Sequence, residues 1–359
     1  MLLCDTILKK DDRNFHCWNY RSNIFDLIKN FFPDCFSKFV EKEFEFTLNM
    51  IKKNFSNFSA WHYRSKIIPL ILKEQNSSFC DTEKIIDFLK EDLEFIKNAF
   101  YTDHKDQSIW NYHYWILNNI TPVYVESIEF VNSESKENSD NKENTVTLNI
   151  KLSTIMKVQG YLGVTSESNN VTGHISSGNK KEFSDVVTIR LDNFKDNDIV
   201  YFKANNSRSD CKESKDKLDN PCFSKINLEL NPFKIKKIDG KYTFEEITLN
   251  EGMINKRVLL EKFLNDQLTL IEELIVCLGK SEVFTEFGHF RIAQIKLLIL
   301  NIFYNHNFER KGDEVEKQKK LIKEIIEEYR LLKENKSLRM KVMYQNLYDN
   351  FTKQMESKL

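Results

Sequence analysis

Histidine and cysteine are the side chains most typical of zinc sites, and cysteine can also act as a nucleophile. The seven histidines stand at positions 16, 62, 104, 113, 174, 289 and 306, and there are also seven cysteines. They form no His, Cys and Asp set at the spacing of zinc ligands. A Gly-rich phosphate loop and a G-x-S-x-G motif are also missing from the sequence. We therefore predict no catalytic residue and no metal site in this chain, and we interpret His62 and His113 as structural rather than metal-binding.

The segment Asn14-Phe15-His16 needs a separate explanation. An exposed histidine in the first turn of a helix can donate a hydrogen bond to a phosphate oxygen, because the helix N-terminus favours negative charge. Asn14 belongs to the residue types that cap helices. His16 could equally pack between helices without any ligand, so both interpretations stay open.

An internal repeat indicates which elements position these residues. Three segments align on Trp18, Trp61 and Trp110, which lie 43 and 49 residues apart. Each segment has Asn or Asp four residues before the tryptophan, Tyr two residues after it, and Arg or His three residues after it. We predict the following residues as structural members of the repeat, with the tryptophans in its core: Trp18, Tyr20, Arg21, Trp61, Tyr63, Arg64, Trp110, Tyr112 and His113.

Each repeat is predicted to be a pair of helices. Apolar residues recur every three to four positions ahead of Trp110, and the Asn or Asp before each tryptophan can cap the second helix. The planar guanidinium groups of Arg21 and Arg64 suit carboxylates or carbonyls of a neighbouring repeat. Helix pairs of this kind stack into a solenoid, because one pair alone cannot bury its apolar face.

The periodicity changes between residues 121 and 250. Apolar and polar residues alternate over 146–152, 187–191, 226–230 and 242–244, which is typical of half-buried strands. The polar tracts 133–144 and 205–220 predict loops. Helical periodicity returns over 260–275, 290–303, 314–335 and 337–358.

These patterns predict a mostly α chain, an alpha-alpha superhelix of helical pairs with an inserted β-sandwich-like domain. Helical repeats would occupy residues 1–120. The β domain, for which an immunoglobulin-like sandwich is one option, would occupy 121–250. Further helical pairs in 251–359 would continue the solenoid.

Composition narrows the class of protein. The net charge is −1, from 53 basic and 54 acidic residues, which argues against a nucleic-acid partner. The cysteine count is odd and lacks a C-x-x-C pair, as in proteins with reduced thiols. The N-terminus lacks the basic and apolar regions of a signal peptide. The longest apolar run, 295–303, is too short for a membrane span. We expect a cytoplasmic protein.

The three tryptophan segments resemble the alpha-subunit repeat of protein prenyltransferases, whose core is an Asn, an aromatic residue, a Trp and an Arg in the second helix of each pair. Their sequences most resemble the repeats of the Rab geranylgeranyltransferase type. The β insertion after the third segment points the same way, since farnesyltransferase alpha subunits lack it. The resemblance implies a non-catalytic alpha subunit that scaffolds a beta subunit and is inactive alone.

The resemblance also implies partners and a site. Geranylgeranyl diphosphate would be the co-substrate, C-terminal cysteines of Rab GTPases the acceptors, and a Rab escort protein would present them. Zinc is expected on the beta subunit, with no cofactor in this chain. The edge facing the beta subunit and the diphosphate would include Asn14, Phe15, His16, Asn57 and His62.

Two alternatives remain. One is the alpha subunit of farnesyltransferase or type I geranylgeranyltransferase. The other is a helical-repeat adaptor without an enzymatic partner.

Overall fold

The computed structural model describes residues 1–75, 82–136, 143–157, 162–166, 172–177, 183–192, 194, 198–204, 233–238, 241–247, 251–278, 282–305, 308, 311–334 and 340–356. The chain divides into two compact units. The first contains Met1–Ile120 and Glu273–Phe287, and the second contains the other described residues from Thr121 onward. The division into three domains made from the sequence stays a prediction.

The first unit contains the three predicted helix pairs. Its helices are α1 (Leu2–Lys10), α2 (Phe15–Phe31), α3 (Pro33–Lys53), α4 (Phe58–Gln75), α5 (Thr82–Thr102) and α6 (Gln107–Ile120). The tryptophans at 18, 61 and 110 are all buried, as expected of repeat core residues. Rows of fully buried aliphatic side chains such as Ile51, Ile67 and Ile116 complete this core.

The described part of the inserted region contains two antiparallel sheets. Its strands are β1 (Val125–Lys136), β2 (Glu143–Lys157), β3 (Leu162–Ser166), β4 (Thr172–Ser177), β5 (Phe183–Asp192), β6 (Ile199–Ala204), β7 (Phe233–Ile238) and β8 (Lys241–Glu246). One sheet has the order β1-β2-β5-β4 and the other β3-β6-β7-β8. A constant-type immunoglobulin sandwich has strands ABED in one sheet and CFG in the other. The first seven strands here follow that order, and β8 adds a strand beside β7.

The alternation seen in the sequence corresponds to burial in these sheets. Val146, Leu148 and Ile150 of β2 and Val187 and Ile189 of β5 are all buried, because every second side chain of a strand points to the same face. Rings from the two sheets also meet, since Phe130 of β1 lies 4.7 Å from Tyr242 of β8, centroid to centroid. The predicted strand at 226–230 and the predicted loop at 205–220 lie outside the described residues.

The prediction of a loop over residues 133–144 is wrong. β1 extends to Lys136, β2 begins at Glu143, and Lys136 pairs with Glu143 in register. Only the positions between these two strands lie outside the description. Polar composition misled the prediction, because strands near a hairpin end need no apolar side chains when backbone pairing holds them.

Four helices follow the sheets: α7 (Glu251–Leu278), α8 (Glu282–Phe303), α9 (Asp313–Glu334) and α10 (Lys341–Met355). A cluster of buried side chains from α8, α9 and α10, including Leu300, Ile325 and Tyr344, forms the core of these three helices. In the second unit the Asn305 side chain donates to the carbonyl of Val125 at 2.6 Å. No described helix is both long and apolar enough to cross a membrane.

Candidate partner-binding site

The loop before the second helix of each pair has the same geometry three times. A side-chain oxygen seven residues before the tryptophan, from Asp11, Asn54 or Asp103, accepts a hydrogen bond from the N–H two residues later. The Asn or Asp four residues before the tryptophan caps the helix by accepting a backbone N–H. Each indole N–H donates to the carbonyl six residues earlier, at 2.9, 2.8 and 2.9 Å. Each tryptophan therefore fixes the loop that leads into its own helix.

The loops of the first two pairs are also bonded to each other. Asn57, besides capping α4, donates from its Nδ2 to the carbonyl of Asp12 at 2.7 Å. The same carbonyl accepts the indole N–H of Trp18. Asn54 donates to the Asp12 carboxylate at 3.3 and 3.4 Å. These bonds hold the N-termini of α2 and α4 in a fixed relation.

A buried carboxylate connects each pair to the next. Arg21 of α2 binds Glu43 of α3 with two bonds of 2.6 and 2.7 Å, and Tyr63 of α4 donates its hydroxyl to the same carboxylate at 3.0 Å. Arg64 and Tyr112 bind Asp92 of α5 in the same way. We call each such set a shared carboxylate: the acid of one pair, the arginine of the pair before it and the tyrosine of its own pair.

The electrostatics of these sets follow from burial and pairing. Burial alone lowers the pKa of the Arg64 guanidinium, but its bonds to Asp92 outweigh this and raise the pKa above its usual value. Burial and the charge of Asp92 raise the pKa of the Tyr112 hydroxyl well above its usual value. The arginine therefore stays charged and the tyrosine stays neutral, so that it donates to the carboxylate. Phe44 supports Arg64 from the side, with its ring centroid 3.8 Å from the guanidinium carbon.

Four aromatic side chains mark the exposed N-terminal edge of the second helices: Phe15 and His16 of α2, and Phe58 and His62 of α4. We call this set the aromatic edge. The rings of Phe15 and His16 lie 3.9 Å apart, and those of Phe58 and His62 stack at 5.9 Å. Partial desolvation of the ring and the positive charge of the nearby Lys66 lower the pKa of His62. An exposed edge of rings on rigid loops can bind a partner with little loss of conformational entropy.

The candidate rim residues therefore differ in their exposure. Phe15, His16 and His62 are exposed and lie on the aromatic edge. Asn57 is fully buried in its cap and its bond to Asp12, so it does not face a partner directly. Asn14 is partly exposed, with its side-chain oxygen used by the N–H of Cys17.

The residues predicted to be structural differ in burial at one position. Tyr63, Tyr112, Arg21, Arg64 and His113 are buried. Tyr20, which occupies the same repeat position as the two buried tyrosines, is exposed.

Sequence reasoning missed the two acids of the shared carboxylates. Glu43 and Asp92 each stand 18 residues before the tryptophan of their pair. Aligning the first helices on the tryptophans would have revealed this column. Among the described residues, no group of three or more His, Cys, Asp or Glu side chains could hold a metal ion.

Comparison with protein families agrees with this geometry. Residues 1–28, 40–71 and 89–120 match the model of the protein prenyltransferase alpha subunit repeat. The matched ranges contain the three tryptophans and both shared carboxylates. Three segments within the first 120 residues are therefore similar to the alpha subunit repeat of protein prenyltransferases.

The same segment is similar to curated proteins that share one name. The chain is 42% identical over 120 residues to the geranylgeranyl transferase type-2 subunit alpha of Homo sapiens, an alignment that covers 33% of this chain and 20% of that protein. It is 35% identical over 122 residues to the subunit of the same name from Schizosaccharomyces pombe, covering 34% of this chain and 35% of that one. The chain thus aligns with about a fifth to a third of the length of these relatives. No solved structure matches the chain.

Proposed function

We propose that this chain is the non-catalytic alpha subunit of a heterodimeric Rab geranylgeranyltransferase. Its helical repeats would scaffold a beta subunit that binds zinc and geranylgeranyl diphosphate. The complex would transfer the lipid to C-terminal cysteines of Rab GTPases presented by a Rab escort protein. The observation that supports this most is the set of three repeats with matching loops and shared carboxylates, in the segment that is similar to type-2 alpha subunits.

The aromatic edge is the surface we propose for the beta subunit. Its rings are exposed, while the residues behind them are fixed by caps, indole bonds and the Asp12 contacts. His16 lies in the first turn of α2, where a side-chain donor and the helix dipole act in the same direction on an anion. In the complex this turn would stand at the margin of the diphosphate site.

Co-expression tests the proposal. The chain is produced with a type-2 beta subunit from the same species and, separately, with a farnesyltransferase beta subunit. We expect a one-to-one complex with the type-2 subunit only, and geranylgeranyl transfer to a Rab–escort protein complex. Assembly with the farnesyltransferase beta subunit would favour that alpha-subunit class instead. Soluble subunits that form no complex would favour the adaptor.

A Phe58→Ser variant locates the contact. Phe58 is exposed, so its loss should leave the melting temperature unchanged while weakening assembly. Val342→Ser on α10 is the matched control, because it is also an exposed apolar residue outside the aromatic edge. Equal assembly of both variants would remove the aromatic edge from the interface.

A further inference from the structure

Two cysteines meet between the first two helices. Cys4 lies in α1 and Cys17 in the first turn of α2, and both are buried free thiols, 1% and 6% exposed. The Cys17 thiol donates to the carbonyl of Cys4 at 3.6 Å, and it is also hydrogen-bonded to the Cys4 thiol. The two sulfur atoms are therefore neighbours across the boundary between α1 and α2.

The surroundings of the two thiols keep them reduced while the helices are packed. Asp5, which follows Cys4 in α1, binds Arg21 of α2 at 2.6 Å and holds the two helices together. Burial and the hydrogen bond with Cys4 raise the pKa of the Cys17 thiol to about 11. Cys17 is therefore protonated at neutral pH, and a protonated thiol reacts slowly with oxidants.

Local opening of α1 would remove this protection. Cys4 and Leu8 are the buried side chains of α1, and elements with few buried side chains open at a lower free-energy cost than the core does. Hydrogen peroxide is small enough to enter such an opening and to oxidise a thiol there. When α1 closes again, the second sulfur lies beside the oxidised one.

We propose that Cys4 and Cys17 are a redox-sensitive pair, which a hydroperoxide converts to a disulfide that fastens α1 to α2. In the first step one thiol loses its proton and its sulfur attacks a peroxide oxygen, which breaks the O–O bond and gives a sulfenic acid. The hydroxide that leaves takes up this proton and becomes water. In the second step the other sulfur attacks the sulfenic sulfur, so the S–S bond forms and the hydroxyl leaves with the remaining thiol proton as water. The two thiols lose two electrons and one hydrogen peroxide gains them.

The disulfide would form next to the aromatic edge. Cys17 directly follows Phe15 and His16, and its backbone N–H donates to the side chain of Asn14 that caps α2. A bond from Cys17 to α1 would therefore fix the first turn of α2 and, with it, this part of the aromatic edge. The inference does not depend on the proposed function, because both cysteines belong to this chain.

Peptide mapping of the full chain tests the pair directly. The reduced protein is treated with hydrogen peroxide, alkylated under denaturing conditions and digested with trypsin without reduction. Trypsin cuts between Cys4 and Cys17, so we expect the peptide Met1–Lys9 joined to Asn14–Arg21, in a species that dithiothreitol separates. Separate peptides with alkylated thiols or with sulfinic acids would overturn the inference. A disulfide from either residue to another cysteine would overturn it as well.

Thermal unfolding, followed by circular dichroism, measures the effect of the disulfide on the fold. Peroxide treatment should raise the melting temperature by at least about 3 °C, because a cross-link restricts the unfolded chain. Cys4→Ala should abolish this rise, and so should Cys17→Ser, which keeps a donor for the Cys4 carbonyl. Cys35→Ser is the matched control: it changes an exposed cysteine of α3 and should leave the rise intact.

A treated natural chain that melts no higher than the reduced chain would contradict the fastening of α1. A rise that persists in Cys4→Ala would also contradict it, because another cysteine would then be responsible. If either variant of the pair does not fold, the peptide map of the natural chain decides alone.

Discussion

At the scale of single residues, the shared carboxylates show how charge is kept inside the repeats. An isolated carboxylate in the position of Asp92, which is buried, would lose its hydration without compensation. Arg64 and Tyr112 instead supply donors to both of its oxygens. The set is therefore stable only when all of its members are present.

Arg64→Met tests this dependence. The variant keeps much of the side-chain volume but leaves the buried Asp92 without its cation, which typically costs about 3–5 kcal/mol of unfolding free energy. Chemical denaturation of the natural and variant chains measures the difference. Arg330→Met is the control: Arg330 pairs with Glu327 and Glu334 on an exposed helix surface, so its denaturation midpoint should not change. Equal midpoints for Arg64→Met and the natural chain would contradict the role given to the pair.

His16→Ala tests the proposed position of the aromatic edge. His16 is exposed, so we expect normal melting and normal assembly with a beta subunit. Lipid transfer should fall by about tenfold or more, because a donor near the departing diphosphate stabilises negative charge that grows in the transition state. Asn19→Ala, exposed on the same helix, is the control. A variant that melts early but transfers at the normal rate would make His16 a structural residue.

The residues that could be predicted were those whose type recurs at a fixed spacing. Trp61, Asn57 and Arg64 were found this way, and the family match confirms the repeats that contain them. Glu43 and Asp92 escaped because one is Glu and the other Asp, in helices whose alignment needs the tryptophans as reference. The exposure of Tyr20 could not be foreseen, because it depends on what packs beside the pair and not on the residue itself.

At the scale of elements, the loops before the second helices control how neighbouring pairs are oriented. Asn57 has two separable functions, since its oxygen caps α4 and its Nδ2 bonds the loop of the first pair. Capping is local and the second bond joins two pairs. The two functions can be removed one at a time.

Asn57→Asp and Asn57→Ala separate these functions. Asn57→Asp keeps the cap acceptor and loses the donor to the Asp12 carbonyl, whereas Asn57→Ala loses both. We expect the alanine variant to be destabilised by about 1–2 kcal/mol relative to the natural chain from the cap alone, with a further loss from the Asp12 bond. Urea denaturation measures both variants. If the alanine variant were as stable as the natural chain, neither bond would contribute to the fold.

The elements themselves were largely predictable. Period-two alternation indicated β2 and β5 because each has one buried face, and apolar spacing indicated α7 to α10. The ends of β1 and β2 were not predictable. Their polar residues are held by backbone pairing across the hairpin, which composition does not encode.

At the scale of the whole molecule, the proposed function predicts the metal content of each subunit. We expect the purified heterodimer to contain about one zinc ion, bound by the beta subunit. The ion would activate the acceptor cysteine, because a thiol coordinated to zinc ionises at neutral pH. The separate alpha chain should contain none after dialysis. Metal analysis by mass spectrometry measures both samples, with the beta subunit alone as the control. About one tightly held zinc ion per isolated alpha chain would contradict the proposed division of roles.

The positions of the tryptophans determine which part of this protein intrinsic fluorescence can follow. All four tryptophans, at 18, 61, 110 and 115, lie in the first 120 residues, and three of them are buried with their N–H groups bonded to loop carbonyls. Intrinsic emission excited at the red edge of indole absorption therefore comes from the repeats alone. A shift of that emission records the opening of the helix pairs, while unfolding of the sheets and of α9 and α10 passes without a tryptophan signal.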